Sequence, residues 1–363
     1  MNNNNLQRFL LWEEIMEDVR DAEEFYAIRR EVLRRPNPFD LSDEKFIKLF
    51  RLTKLLCENL INIDLAALRF FGTGSYQEIT GASNYVGINQ PSVSRCIKEV
   101  CNAMNQPQIL NNWIHFTRNI EEMQALRTSF FQKHQFPGVI GCVDCTHVSI
   151  IASRTNDPEF PEYIYVNRKN YHSINFQLIC DSNLKIMNVN AQFPGSTHDA
   201  NIWRHSQIST LMENIYRRDP QNGFFLIGHS GYPTRPWLLN PIQNPTAAGP
   251  EEKFNDRLCS IRATIERCNG VLKNRFRCLL KHRVLHYSPT VAGQIINSCC
   301  VLHNMCIANN VLEPPAEQQK NEDIDYGIYA VENVLAENIG RVNPDLAAAR
   351  VLQQNIIDNH FRQ

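Results

Sequence analysis

The sequence predicts an α/β fold in which a mixed sheet is flanked by helices and preceded by a helical N-terminal region. Three observations carry that reading. Apolar residues recur at helical spacing as far as Met104, short β-type runs separated by turn residues begin near Phe136, and helical spacing returns at Ile261. The 363 residues allow two domains, or one large domain with a smaller companion, and 43% hydrophobic content supports a sizeable core. The expected division is a helical, helix-turn-helix-like region over 1–130, an α/β domain over 131–312 and a polar, loosely ordered tail over 313–363.

Taken in order, residues 1–38 are charged and mostly helical in pattern. Ser42 is placed to cap a helix carrying Phe46, Leu49, Phe50 and Leu56. Leu65–Phe71 is a second amphipathic helix, stopped at Gly72. Ser75–Ala82 and Ile88–Met104 then read as helix, turn, helix, with Pro91 suited to the first turn of the second helix. Val93, Ile97 and Val100 are expected in its core, and Gln90, Ser92, Ser94, Arg95 and Lys98 outside. In a helix-turn-helix, Arg95 and Lys98 would meet DNA; any helical hairpin gives the same pattern.

Val139–Ile150, His172–Cys180 and Ile186–Phe193 read as strands at meander spacing, with a hairpin turn at Asp181–Asn183. Asp199–Met212 follows as a helix, Phe224–Ile227 as a buried strand, and Pro233–Pro250 as a Pro-rich connector. Helices at Ile261 and over Val291–Leu312 complete the chain. Three strands, a helix, a fourth strand and a later helix is the order of an RNase H-like core.

Net charge is −1, but Arg257–Arg283 holds eight basic residues against Glu266 alone. A polyanion is the natural partner of such a segment, because each neutralised phosphate releases counterions; a solvated basic helix is the alternative. Twelve cysteines without a secretory start read as reduced thiols of the cytosol or nucleus. No run of eighteen apolar residues occurs, so no membrane span is expected.

The residues able to do chemistry are few. Asp144 lies within an apolar strand, where an unpaired carboxylate costs several kcal/mol to bury; a metal ion, or hydrogen bonds from Thr146 or a turn amide, would offset that. His229 follows a buried strand and a glycine, at the strand end where α/β folds place ligands. Glu266 shares a helix face with Arg262, Asn269 and Lys273, which suits either an acid among phosphate-binding cations or an ordinary salt bridge. Asp199 or His198 is placed to cap a helix, and Asp199 is also on the correct edge to be an extra acid. Cys142 and Cys145 have CxxC spacing but point to opposite faces of a strand. Cys299, His303 and Cys306 share a helix face and read as core.

Together the segments Phe193-Pro-Gly-Ser-Thr-His-Asp199, Gly228-His-Ser-Gly-Tyr-Pro233 and Ile265-Glu266 through Leu272-Lys-Asn-Arg-Phe276 resemble the Harbinger transposase-derived nucleases, DDE-type members of the RNase H-like fold. The resemblance covers about Phe46 to Cys306. It implies a nuclease acting on double-stranded DNA with a divalent cation, Mg²⁺ or Mn²⁺, in the nucleus and cytoplasm, and a Myb/SANT-like DNA-binding partner protein. Asp144 matches the family's first catalytic acid and Glu266 its last, while His229 stands where the pattern carries the middle aspartate. Asp144, Glu266 and His229 are thus the implied metal ligands, and Arg95, Lys98, Arg262, Arg267, Lys273, Arg275 and Arg277 the expected DNA contacts. Mg²⁺ strongly prefers oxygen, whereas Mn²⁺ accepts nitrogen more readily. Three outcomes stay open: an inactive site kept for binding, an active one with altered metal preference, or replacement of the missing acid by Asp199.

Overall fold

A computed structural model describes residues 36–59, 65–153, 157–313 and 343–362; the expectation for 1–35 lies outside them. Helices α1 (Asp43–Phe50), α2 (Lys54–Asn59), α3 (Leu65–Thr73), α4 (Gln77–Gly81), α5 (Gln90–Met104), α6 (Pro107–Trp113) and α7 (Ile120–His134) lead into strand β1 (Val139–Ser149). Ser42 caps α1 by accepting from the Lys45 amide, and Arg51 ends it in the left-handed region at φ 66°. That reversal splits the expected continuous helix. In α5, Val93, Ile97 and Val100 are buried while Gln90, Arg95 and Lys98 are exposed, as the spacing predicts.

After β1 come α8 (Glu162–Tyr165), β2 (Ser173–Cys180) and β3 (Ile186–Pro194). The helix expected over Asp199–Met212 is two, α9 (Asp199–Arg204) and α10 (Gln207–Arg218), because Ser206 breaks the turn and caps α10 through the Ile208 amide. Strands β4 (Phe225–Ile227) and β5 (Leu238–Leu239) and helices α11 (Pro250–Arg275), α12 (Pro289–Ala308) and α13 (Pro344–His360) follow. Helix α12 is long and apolar enough to cross a membrane by length and composition, but 72% of its apolar window is buried in the fold.

The sheet order is β3-β2-β1-β4-β5. β1 is central, antiparallel to β2 and parallel to β4, so it is buried along its whole length. One face of β1 (Cys142, Val148) packs into the larger apolar cluster with α11 and α12; the other (Ile140, Val143, Cys145) packs with Trp203, Tyr232 and Trp237. This is the RNase H-like arrangement. The N-terminal helices share the larger cluster, which runs from Phe46 to Phe361.

The tail needs correction. Residues 344–360 are helical, and Phe361 packs its ring against Phe136 and Phe254, with centroids 6.0 Å apart in both cases. Ala349, Ile356 and Ile357 supply the buried face.

Candidate active site

Strand register brings the site together. The parallel pairing Cys142↔Ile227 is the last between β1 and β4, so two residues further on in each chain segment, Asp144 comes level with His229, the second residue beyond the end of β4. Gly228 lets the chain turn there: a Cβ at this position would lie 2.9 Å from the Tyr232 ring. Asp199 enters from the first position of α9, and Asn175 of β2 holds it with an amide hydrogen bond of 3.0 Å to Oδ1.

The result is two buried carboxylates on one imidazole nitrogen. His229 Nε2 is 2.9 Å from Asp199 Oδ2 and 3.6 Å from Asp144 Oδ1. The Gly231 amide donates to His229 Nδ1 at 2.9 Å, so in the neutral ring the proton sits on Nε2 and points at the acids. Tyr232 packs its ring edge-on against the imidazole at 4.7 Å, and its hydroxyl lies 3.2 Å from Cys145 Sγ.

Electrostatics follow from burial. Burial pushes the Asp144 carboxyl up to about 7; His229 and Arg262 oppose this, and the charge of Asp199 adds to it. Burial would also raise Asp199, but the hydrogen bond and charge of His229 more than offset it, and its pKa falls below the ordinary carboxylate range. Burial by itself lowers His229; its bond to Asp199 and the charges of both acids reverse this, and the net shift is upward. The Gly231 amide aimed at Nδ1 needs a lone pair there, so a second ring proton would break that bond, and the single proton of the ring sits on Nε2.

Glu266 lies on α11, ion-paired to Arg262 one turn before it. Arg262 in turn acts electrostatically on Asp144 and His229. Of the three implied ligands, Asp144 and His229 are in contact, while Glu266 pairs with a cation. Among the described residues, no group of three or more His, Cys, Asp or Glu side chains is arranged to hold a metal. The donor set fits a divalent ion in part. The Asp144 and Asp199 carboxylates converge on one point, but His229 presents an N–H there rather than a lone pair.

The basic segment also needs correction. Lys273 and Arg275 are each 1% exposed and cannot reach DNA. Lys273 Nζ donates to Thr146 Oγ1 at 2.7 Å and to the His147 carbonyl at 2.8 Å. Arg275 donates to the carbonyls of Val311 and Leu312. Arg267 is exposed and pairs with Glu313 at 3.4 Å, and Arg277 is half-buried. Cys142 bonds the Ile261 carbonyl on one face of β1 and Cys145 meets Tyr232 on the other, as alternation predicts. Cys299, His303 and Cys306 are buried core residues.

Sequence reasoning missed Asn175 and its neighbours. Asn175 is 1% exposed and its Oδ1 is without a hydrogen-bond partner, while Ser173 accepts from Asn167 and bonds His147 at 3.0 Å. Their signal was in the sequence. Ser173, Asn175 and Gln177 alternate as polar residues within an otherwise apolar strand, which places three buried polar side chains on one face.

Known proteins share this chain's pattern. Residues 143–304 match the DDE superfamily endonuclease model. The chain is 34% identical over 269 residues to "Putative nuclease HARBI1" of Bos taurus and, equally, of Homo sapiens, covering 72% of this chain and 73% of each relative. It belongs to the Harbinger transposase-derived nuclease family. A more distant relative, "Protein ALP1-like" of Arabidopsis thaliana, is 24% identical over 66% of this chain and 59% of its own. A solved mariner complex, "Crystal structure of the Mos1 mariner paired end complex with Mn", is 14% identical over 65% of this chain and 74% of its own, with a TM-score of 0.18. Asp144 and Glu266 both fall within the matched DDE segment, as do Asp199 and His229.

Proposed function

We propose that this Harbinger-family chain is a divalent-metal-dependent nuclease of duplex DNA whose principal acids are Asp144 and Asp199. The observation that carries the reading is the convergence of two buried carboxylates on one imidazole nitrogen, 2.9 and 3.6 Å away. Two such acids, out of water and close together, call for a cation.

Asp144 and Asp199 would hold the ion, and Glu266 would join by exchanging its Arg262 partner. A divalent ion bound there supplies Lewis-acid activation of the scissile phosphate and of the attacking water. The protein's residues do the rest. Asn175 fixes the rotamer of Asp199, and the Gly231 amide fixes the ring of His229, so both carboxylates are held before substrate arrives. His229 holds its proton at Nε2, against Asp199, where an aspartate would add a third negative charge. Oxygen donors alone suit Mg²⁺ and Mn²⁺ alike, and any recruitment of the imidazole favours Mn²⁺.

One observation favours a second reading, a catalytically silent DNA-binding or adaptor protein. His229 already donates to Asp199 and lies against Asp144, and Arg262 already neutralises Glu266, so the acids have protein partners without metal.

Nicking of supercoiled plasmid with Mg²⁺ or Mn²⁺ separates the two. The nuclease reading expects Mn²⁺-dependent nicking that falls by more than about 10- to 100-fold in Asp144→Ala, the loss seen when only a partner behind a metal ligand is removed. Absence of nicking in both metals supports the silent scaffold. Nicking that Asp144→Ala leaves intact rejects the site.

A further inference from the structure

With Lys273 and Arg275 buried, Arg262 paired to Glu266 and Arg267 to Glu313, helix α11 offers few cations to a phosphate backbone. The need for them remains, because a paired carboxylate site repels a phosphodiester. A different basic element stands beside Asp199. The turn Asn167–Tyr171, between α8 and β2, carries Arg168 and Lys169 at its tip, both exposed.

The turn is built to hold them outward. Asn167 beneath it is 5% exposed. Its Oδ1 accepts from the Lys169 amide at 2.8 Å, and its Nδ2 donates to Ser173 Oγ at 2.9 Å. The Asn167 amide closes the turn on the Tyr171 carbonyl at 3.0 Å, and Asn170 takes the left-handed conformation, φ 57°, that asparagine tolerates. A third cation leans on the same turn: Lys281 Nζ lies 5.1 Å from the Tyr171 ring centre, and that ring also meets His147 edge-on at 6.5 Å.

A cavity of about 10 Å³ joins the turn to the site. Arg168, Lys169, Asn175 and Asp199 all line it, so the two cations share a wall with one acid of the pair, Asp199. The buried, unpartnered Asn175 Oδ1 belongs to a residue on the same wall.

We propose that the Asn167–Tyr171 turn, with Lys281 behind it, is a phosphate-binding subsite that brings the backbone of duplex DNA to the Asp199 side of the site. The subsite deepens the nuclease reading and rests on it for the identity of the polyanion. Arg168 supplies a planar fork for phosphate oxygens and Lys169 a point charge. Neither reads base sequence, so their contribution is uniform across sequences and depends on salt.

The test is equilibrium binding of a fluorescent duplex of about 30 base pairs, long enough for the roughly 6–10 phosphate contacts of a typical site, to the full chain across a salt series. Divalent metal is left out so that no cleavage intervenes. The Arg168→Ala/Lys169→Ala pair is expected to weaken binding about 10- to 100-fold at about 0.1 M salt and to lower the slope of log K against log salt by about 2. Lys48→Ala, an exposed change far along the chain in α1, is expected to leave both unchanged. Lys169→Glu, with circular dichroism and melting to show it folds, is expected to weaken binding further than Lys169→Ala. An unchanged slope in the double variant overturns the subsite. If such a chain still nicks plasmid through Asp144, the nuclease reading survives and the turn assignment alone falls. A full chain that binds no duplex at about 50 mM salt, where such contacts are strongest, overturns both.

Discussion

Replacing Asp144 with asparagine is expected to stabilise the metal-free protein near pH 8 while removing the nicking activity proposed for it. The carboxyl titrates at about 7 in the folded chain against an ordinary 3.8. Between those values the folded state keeps a proton that the unfolded state has released. Stability therefore falls as pH rises from about 4 to about 7 and is flat above. The gap, at about 1.36 kcal/mol per pH unit, is on the order of 4 kcal/mol. An asparagine side chain carries no charge to bury, and its amide oxygen can still accept from the Cys145 amide that Asp144 Oδ1 uses at 2.9 Å. Thermal melts from about pH 4 to about pH 8 read the difference: the wild-type midpoint drops across that range and the Asp144→Asn midpoint drops less. Parallel curves would mean the Asp144 carboxyl is not desolvated as its position implies.

The second large effect belongs to His229. His229→Asp puts a third carboxylate where an N–H now lies 2.9 Å from Asp199 and 3.6 Å from Asp144. A like-charge contact near 4 Å at intermediate effective dielectric costs about 4 kcal/mol, and the change also removes the Gly231 amide's acceptor and the Tyr232 ring contact. The metal-free variant should melt well below wild type at about pH 8, because a third buried acid must either carry its charge against the other two or take up a proton there. Mg²⁺ should restore the midpoint, because three carboxylates then surround the ion, and Mg²⁺-dependent nicking should rise above the wild-type level. A variant as stable as wild type without metal, and unresponsive to Mg²⁺, would contradict the convergence of the three side chains.

Much of this site was legible in the sequence, for identifiable reasons. Asp144 stands out because an acid inside Val139–Ile150 needs a partner, metal or hydrogen-bond donor, to be buried there, and His229 because a buried run ends at a glycine just before it. The β1–β4 register then joins them without further information. Asp199 was visible as a cap or an extra acid; its bond to His229 depends on how α9 meets the sheet, a tertiary fact. The basic face of α11 misled, because composition does not reveal which cations are buried. Arg275 bonds carbonyls at Val311 and Leu312, and Lys273 reaches back to Thr146 and His147. Those acceptors lie far off in sequence, and the long amphipathic stems of Lys and Arg bury without advertising it. The tail misled in the opposite direction. A polar stretch follows Glu313, and helix α13 beyond it is anchored by Ala349, Ile356 and Ile357 and by Phe361 against two distant phenylalanines.

The Asn167–Tyr171 turn was legible only in retrospect. Its residues are ordinary turn formers, and its importance comes from the cavity it shares with Asp199. Shared walls of this kind emerge only when strands pair.

The proposed chemistry depends on Asp144 and Asp199 forming one acid pair, presented to a single divalent ion. Calorimetric titration of Mn²⁺ into the full chain at about pH 8, above the ordinary carboxylate and imidazole range, tests this without reference to cleavage. Saturable binding that is lost in both Asp144→Asn and Asp199→Asn is the expected result. Mn²⁺ binding that survives Asp199→Asn at full strength would contradict it.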